Sequence, residues 1–89
     1  MKIRLSKRLV IKIKKINSKN PKLARAIKKQ LNLCQTDPRH KSLRIHKLSG
    51  EMKDIWSISI SRNIRMVYIK RGDEAYFFDV GTHDQVYKK

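Results

Sequence analysis

Residues 56–80 read WSISISRNIRMVYIKRGDEAYFFDV, and their period decides the fold. Apolar residues recur at every second position, first Trp56, Ile58 and Ile60, then Ile64, Met66 and Tyr68, which is the spacing of half-buried strands. Ser61-Arg62-Asn63 is short enough for a hairpin turn, and Lys70-Arg71-Gly72-Asp73 makes a second turn in which glycine tolerates positive φ. From about Ala75 to Val80 the chain is almost continuously apolar, so this stretch is expected to be a central strand covered on both faces. Upstream, Leu43 and Ile45 share the twofold period and predict a further strand.

Before Pro38 the period is helical. Met1, Ile3 and Leu5 alternate with basic residues as a short strand, and Ser6 can cap the helix that follows. That helix carries Leu9, Val10, Ile13 and Ile16 on its apolar side, with Lys7, Lys12, Lys14, Lys15 and Lys19 mostly outward, and Asn17, Ser18 and Asn20 interrupt it. Asn20-Pro21 restarts a helix, because asparagine accepts from free backbone N–H groups and proline fits the first helical position. Its stripe is Leu23, Ile27, Leu31 and Cys34 with Ala24 alongside, and Asp37-Pro38 ends it. The expected class is α+β: an N-terminal strand and two helices packed on one face of an antiparallel sheet, in a single domain over residues 1–89.

Charge narrows the function. Met1 to Thr36 holds 12 of the 23 lysines and arginines and none of the seven acidic residues, and the formal net charge is +16. Such self-repulsion favours a polyanionic partner, nucleic acid above all, with binding that weakens steeply as salt rises; a solvated lysine-rich surface is the plainer alternative. Hydrophobic residues make up 39% of the chain, enough for a modest core and too many for a disordered one. No apolar run is long enough to span a bilayer and no signal-peptide region opens the chain, so a soluble intracellular protein without membrane partners is expected. Cys34 stands alone, offers no intramolecular disulfide, and reads as core.

The helices cover only one side of the sheet, so alternate strand residues face the other. Ser57, Ser59 and Ser61 belong to that set, as do Arg65, Val67 and Ile69. An arginine between apolar strand residues needs a partner, which is either Asp79 or Glu74 across the ladder or a ligand. His40, His46 and His83 have no metal-ligand spacing and no Gly-rich phosphate loop is present, which disfavours a metal site, a cofactor and nucleotide hydrolysis. The remaining candidates, His46, Lys47, Lys53, Arg65, His83 and Tyr87, suit metal-independent RNA cleavage, in which a ribose 2′-hydroxyl attacks the adjacent phosphate and the protein supplies only proton transfer and charge stabilisation. Histidine changes protonation near neutral pH, so His83 suits either transfer; it equally suits a local cap or a bond to Asp84.

Three segments carry a resemblance: His46-Lys47-Leu48-Ser49-Gly50; Trp56 to Ile60 with Asn63-Ile64-Arg65-Met66-Val67-Tyr68; and Asp79-Val80-Gly81-Thr82-His83-Asp84 with Val86-Tyr87. In order and spacing they resemble the "hKLkG", "yRviY" and "iGtHdevY" segments of the RelE/ParE superfamily of bacterial type II toxins, over nearly the whole chain. The resemblance implies two helices against a curved antiparallel sheet, a RelE-like, microbial RNase-like fold. It also implies a cytoplasmic toxin that cleaves messenger RNA on the ribosome, contacts 16S ribosomal RNA, and is neutralised by a cognate antitoxin in a hetero-oligomeric complex. By the same resemblance Arg65 contacts the scissile phosphate, His83 takes part in proton transfer, His46 matches the histidine of an "HPL" segment with Lys47 in place of its proline, and Tyr87 assists catalysis or stacks on a base. Lys47 and Lys53 match charge-stabilising lysines, and Arg62, Lys12, Lys15, Lys28 and Lys29 supply further RNA-binding charge. Two positions depart from the YafQ-like branch: Ser59 stands where it has a second catalytic histidine, and Asn63 where it has an aspartate. The ParE branch shares the fold but acts on DNA gyrase without the nuclease residues, and is the alternative; a plain nucleic-acid-binding module is a third.

Overall fold

The computed structural model describes residues 1–47 and 54–87. Strand β1 (Lys2–Leu5) leads into helices α1 (Lys7–Lys19) and α2 (Pro21–Thr36), then a 3-10 turn (Lys41–Leu43). Four strands follow, β2 (His46–Lys47), β3 (Ile55–Ser59), β4 (Ile64–Arg71) and β5 (Glu74–Thr82), and a short helix α3 (His83–Tyr87) closes the described chain. The sheet order is β1-β5-β4-β3-β2, with β1 parallel to β5 and every other pairing antiparallel. The α+β class and the strand, helix pair, sheet order expected from the sequence are therefore those observed.

Local chemistry sets the helix boundaries. Ser6 Oγ accepts from the Leu9 N–H to start α1, and Asn20 Oδ1 accepts from the Leu23 N–H to start α2, with Pro21 in its first turn. Asn17 and Ser18 do not interrupt α1, which runs on to Lys19, because both remain exposed and hydrogen-bonding competition is left to the cap at Asn20. Leu9, Ile27 and Cys34 from the helices meet Ile58, Met66, Tyr68, Ala75, Phe77 and Val80 from the sheet in one buried cluster. The Tyr68 and Phe77 rings lie 4.7 Å apart at its centre. Cys34 is fully buried there, as its sequence position suggests, and burial pushes its thiol pKa up.

Three further expectations need correction. Leu43 is buried in the 3-10 turn rather than in a strand, since β2 begins only at His46, and Gln30, itself buried, ties that turn to the sheet by donating to the Ser42 and Ser59 carbonyls at 3.2 and 2.9 Å. Val10 turns away from the core and is 36% exposed, because the stripe through Leu9, Ile13 and Ile16 already fills the helix side that meets the sheet. Strand β5 is not covered on both faces: Tyr76 is 37% exposed. Its unbroken apolar run instead reflects a bulge, for pairing with β4 shifts between Val67 and Tyr68 so that Phe78 has no counterpart, and Phe77 and Val80 both reach the core. Among the described residues no helix is long and apolar enough to cross a membrane.

Candidate active site

Strand β4 organises the side of the sheet away from the helices. Met66 and Tyr68 enter the core, so Arg65, Val67, Ile69 and Arg71 take the opposite side. Ladder pairing adds neighbours on that side: Arg65 lies between Ser59 and Gly81, and Val67 between Ser57 and Asp79. His46 pairs with Ser57 across β2 and β3, which places it on the same side.

The Arg65 guanidinium is held by the protein itself. Its Nε donates to Ser57 Oγ at 2.9 Å, and its Nη2 donates to the Arg44 carbonyl at 2.6 Å. Neither partner expected across the ladder is used, since Asp79 binds Lys12 at 2.9 Å and Glu74 lies 3.8 Å from Arg4. Arg44 offers its carbonyl from a left-handed backbone conformation (φ 44) that closes the 3-10 turn.

Ser57 is fully buried, and its hydroxyl also shares a hydrogen bond of 2.8 Å with Tyr87 Oη. Tyr87 is carried there by α3, whose first turn is locked by a reciprocal pair: the Gln85 N–H donates to Thr82 Oγ1 and the Thr82 N–H donates to Gln85 Oε1. Gly81 makes this close docking possible, for a Cβ there would stand 2.6 Å from Gln85 Oε1. His83 then sits edge-on to the Tyr87 ring, with centroids 4.1 Å apart, while its Nδ1 is 3.7 Å from a fully exposed Asp84 carboxylate. Arg65, Ser57, Tyr87 and His83 thus form one chain of contacts running from the half-buried guanidinium to the exposed imidazole.

The other residues singled out in the sequence scatter. Lys47 pairs with Trp56 and sets its ammonium 5.9 Å from that ring, so it is brought to the indole rather than to Arg65; Lys70 lies 5.6 Å from the same ring. Lys53 lies outside the described residues. Lys15, Lys28 and Lys29 are exposed on the helices and Arg62 is exposed in the β3–β4 turn, whereas Lys12 already has its carboxylate partner. Ser59, in the place of a histidine, spends its hydroxyl on the Ser61 carbonyl at 3.2 Å. Among the described residues, no three or more His, Cys, Asp or Glu side chains gather as metal ligands. Sequence reasoning put Ser57 on the correct side but missed its bridging role, and it missed Arg44 altogether. The available signal was a small hydroxyl on the same side of the sheet, one strand over and two residues from the direct ladder partner of Arg65.

A strand and two helices on one side of a mostly antiparallel sheet make the architecture of RelE-like toxins. Solved structures share it: YafQ from E. coli strain BL21(DE3), 20% identical with a TM-score of 0.75, covers 96% of each chain. The toxin of the E. coli DinJ-YafQ toxin–antitoxin complex is 22% identical at a TM-score of 0.75, over 96% of this chain and 94% of that one. A YoeB/ParE toxin from Agrobacterium tumefaciens is 18% identical at a TM-score of 0.75, over 93% and 99%. No curated protein is significantly similar in sequence. Residues 1–88 match the family described as "Bacterial toxin of type II toxin-antitoxin system, YafQ", and the chain belongs to that family.

Proposed function

We propose that this toxin is a ribosome-dependent endoribonuclease that cuts messenger RNA without a metal ion, acting as a single domain over residues 1–89. The observation that carries the proposal is the contact chain from Arg65 through Ser57 and Tyr87 to His83, because it places a fixed cation and a titratable ring at the two ends of one surface. In the reaction the 2′-hydroxyl oxygen attacks phosphorus, its proton leaves to a base, the bond to the 5′-oxygen breaks, and that oxygen takes a proton. The products are a 2′,3′-cyclic phosphate and a free 5′-hydroxyl, so no water is consumed in this step.

Arg65 answers the charge that builds on the phosphorane. Two of its nitrogens are tied to Ser57 and Arg44, and a group held in advance stabilises charge without reorganising during the reaction. His83 and Tyr87 carry the two proton transfers, with His46 on the same side of the sheet as a further proton carrier. The exposed lysines of α1 and α2 hold the 16S ribosomal RNA backbone. A cognate antitoxin neutralises the toxin in a hetero-oligomeric complex, a reading supported by the DinJ-YafQ complex among its structural relatives.

The test is induction of the wild type, Arg65→Ala and His83→Ala in bacteria, with message integrity followed on translated and untranslated transcripts. Wild type is expected to cleave translated message only, and each variant to lose at least a hundredfold in cleavage, the scale of one electrostatic or proton-transfer group. Growth arrest with intact message and trapped gyrase–DNA breaks identifies a gyrase poison instead.

A further inference from the structure

The side of the sheet that carries Arg65 has a second, separate feature. Farther along β4, Ile69 pairs with Tyr76, and Tyr76 pairs in turn with Arg4 of β1, so three strands place an aliphatic, an aromatic and a cationic side chain in one row. The next row joins Arg71, Glu74 and Lys2 in the same way. Arg4, Ile69, Arg71, Glu74 and Tyr76 line a shallow recess of about 260 Å³. Among the described residues, Tyr76 is one of the few large apolar side chains left open to solvent. Val67, between the two features, is fully buried, so they are distinct contact points rather than one groove.

We propose that Tyr76, flanked by Arg4 and Arg71, is a stacking subsite for an unpaired base of RNA whose cleaved phosphate lies at Arg65; this rests on the nuclease reading above. Every base has a face that stacks on an aromatic ring whatever its identity, and flanking guanidinium groups suit the phosphates on either side. Glu74 offsets only part of the local charge: it lies 3.8 Å from Arg4, while Arg71 and Lys2 flank it in the ladder. The separation also fits. Four residues of β4, from Arg65 to Ile69, span about 13 Å at the usual strand rise, a distance that a short single-stranded segment bridges. The subsite therefore grips RNA beside the cleavage point and reads no sequence.

The experiment measures binding of a fluorescent single-stranded RNA of about eight nucleotides, 2′-O-methylated throughout so that it cannot be cut, to wild type, Tyr76→Ala, Tyr76→Phe and Arg71→Ala. Tyr76→Ala is expected to weaken binding by about fivefold to a hundredfold, the effect of one lost base stack, with an unchanged salt slope; Tyr76→Phe retains binding. Arg71→Ala is expected to lower the logarithmic salt slope by about 0.7, one phosphate contact on a single strand. Thermal unfolding of each variant shows that the fold is kept. Equal binding by wild type and Tyr76→Ala, or no binding by wild type, overturns the subsite. Message cleavage is scored separately: a chain that binds through Tyr76 but cuts no message keeps the subsite and sinks the nuclease.

Discussion

Ser57 shows how much rests on one small side chain. Its oxygen receives the Arg65 Nε–H and shares a proton with Tyr87, inside a strand where it has no exposure to water. Ser57→Ala leaves both partners without that atom in a half-buried setting, so a loss of about 1–3 kcal/mol in stability is expected by chemical denaturation. Cleavage should fall by more than that stability loss explains, since Arg65 and Tyr87 are both released; normal cleavage by a folded Ser57→Ala protein would remove Ser57 from the mechanism. At the other side of the sheet, burial pushes the Tyr68 phenol up to about 12 from its ordinary 10, with Cys34 adding to the shift. The folded chain therefore keeps a proton that the unfolded chain releases. Stability present below pH 10 is lost as pH rises through 10 towards 12, by up to about 1.4 kcal/mol per pH unit. Denaturant titrations across that range should show the fall, and Tyr68→Phe should flatten it.

At the scale of elements, α3 joins fold to site. It is only five residues long, too short to persist alone, and it is fixed by the Thr82–Gln85 pair and by its seat on Gly81. Gly81→Ala introduces a methyl 2.6 Å from Gln85 Oε1 and 3.2 Å from Gln85 Cβ, so Gln85 must give up its cap bond or the helix must lift. Expected are a stability loss of about 1–3 kcal/mol and a larger relative loss of cleavage, with the Tyr87 ring losing its ordered environment by NMR. The helices and long strands were legible in the sequence because Ser6, Asn20-Pro21 and the twofold period from Trp56 onward each encode a local geometry. Leu43 was not, since over so short a span a single buried residue fits the threefold period of a 3-10 turn as well as the twofold period of a strand. Nor was the bulge at Phe78, which depends on how β4 and β5 pair and not on either segment alone. The same holds within the site. Arg65 could be selected as a polar intruder in a strand, but its hold on the Arg44 carbonyl joins residues 21 positions apart and required coordinates.

For the whole molecule, charge and chemistry are distributed unequally. The helices carry much of the surplus positive charge, while the opposite sheet side carries Arg65, His46 and, through α3, Tyr87 and His83. Helix substitutions such as Lys28→Glu with Lys29→Glu should therefore weaken ribosome association and its salt dependence, leaving the local geometry of Arg65 intact; association at two salt concentrations checks this. One topological fact has a temporal meaning. Strand β1, residues 2–5, has its neighbour in residues 74–77 of β5, and the Ser57–Tyr87 bond comes later still along the chain. A nascent polypeptide emerging from the N-terminus leaves its first strand unmatched until residues 74–77 have been made, then closes the sheet and docks Tyr87. Vectorial translation thus assembles the helical layer early and withholds the completed Arg65 cluster until Tyr87 has emerged.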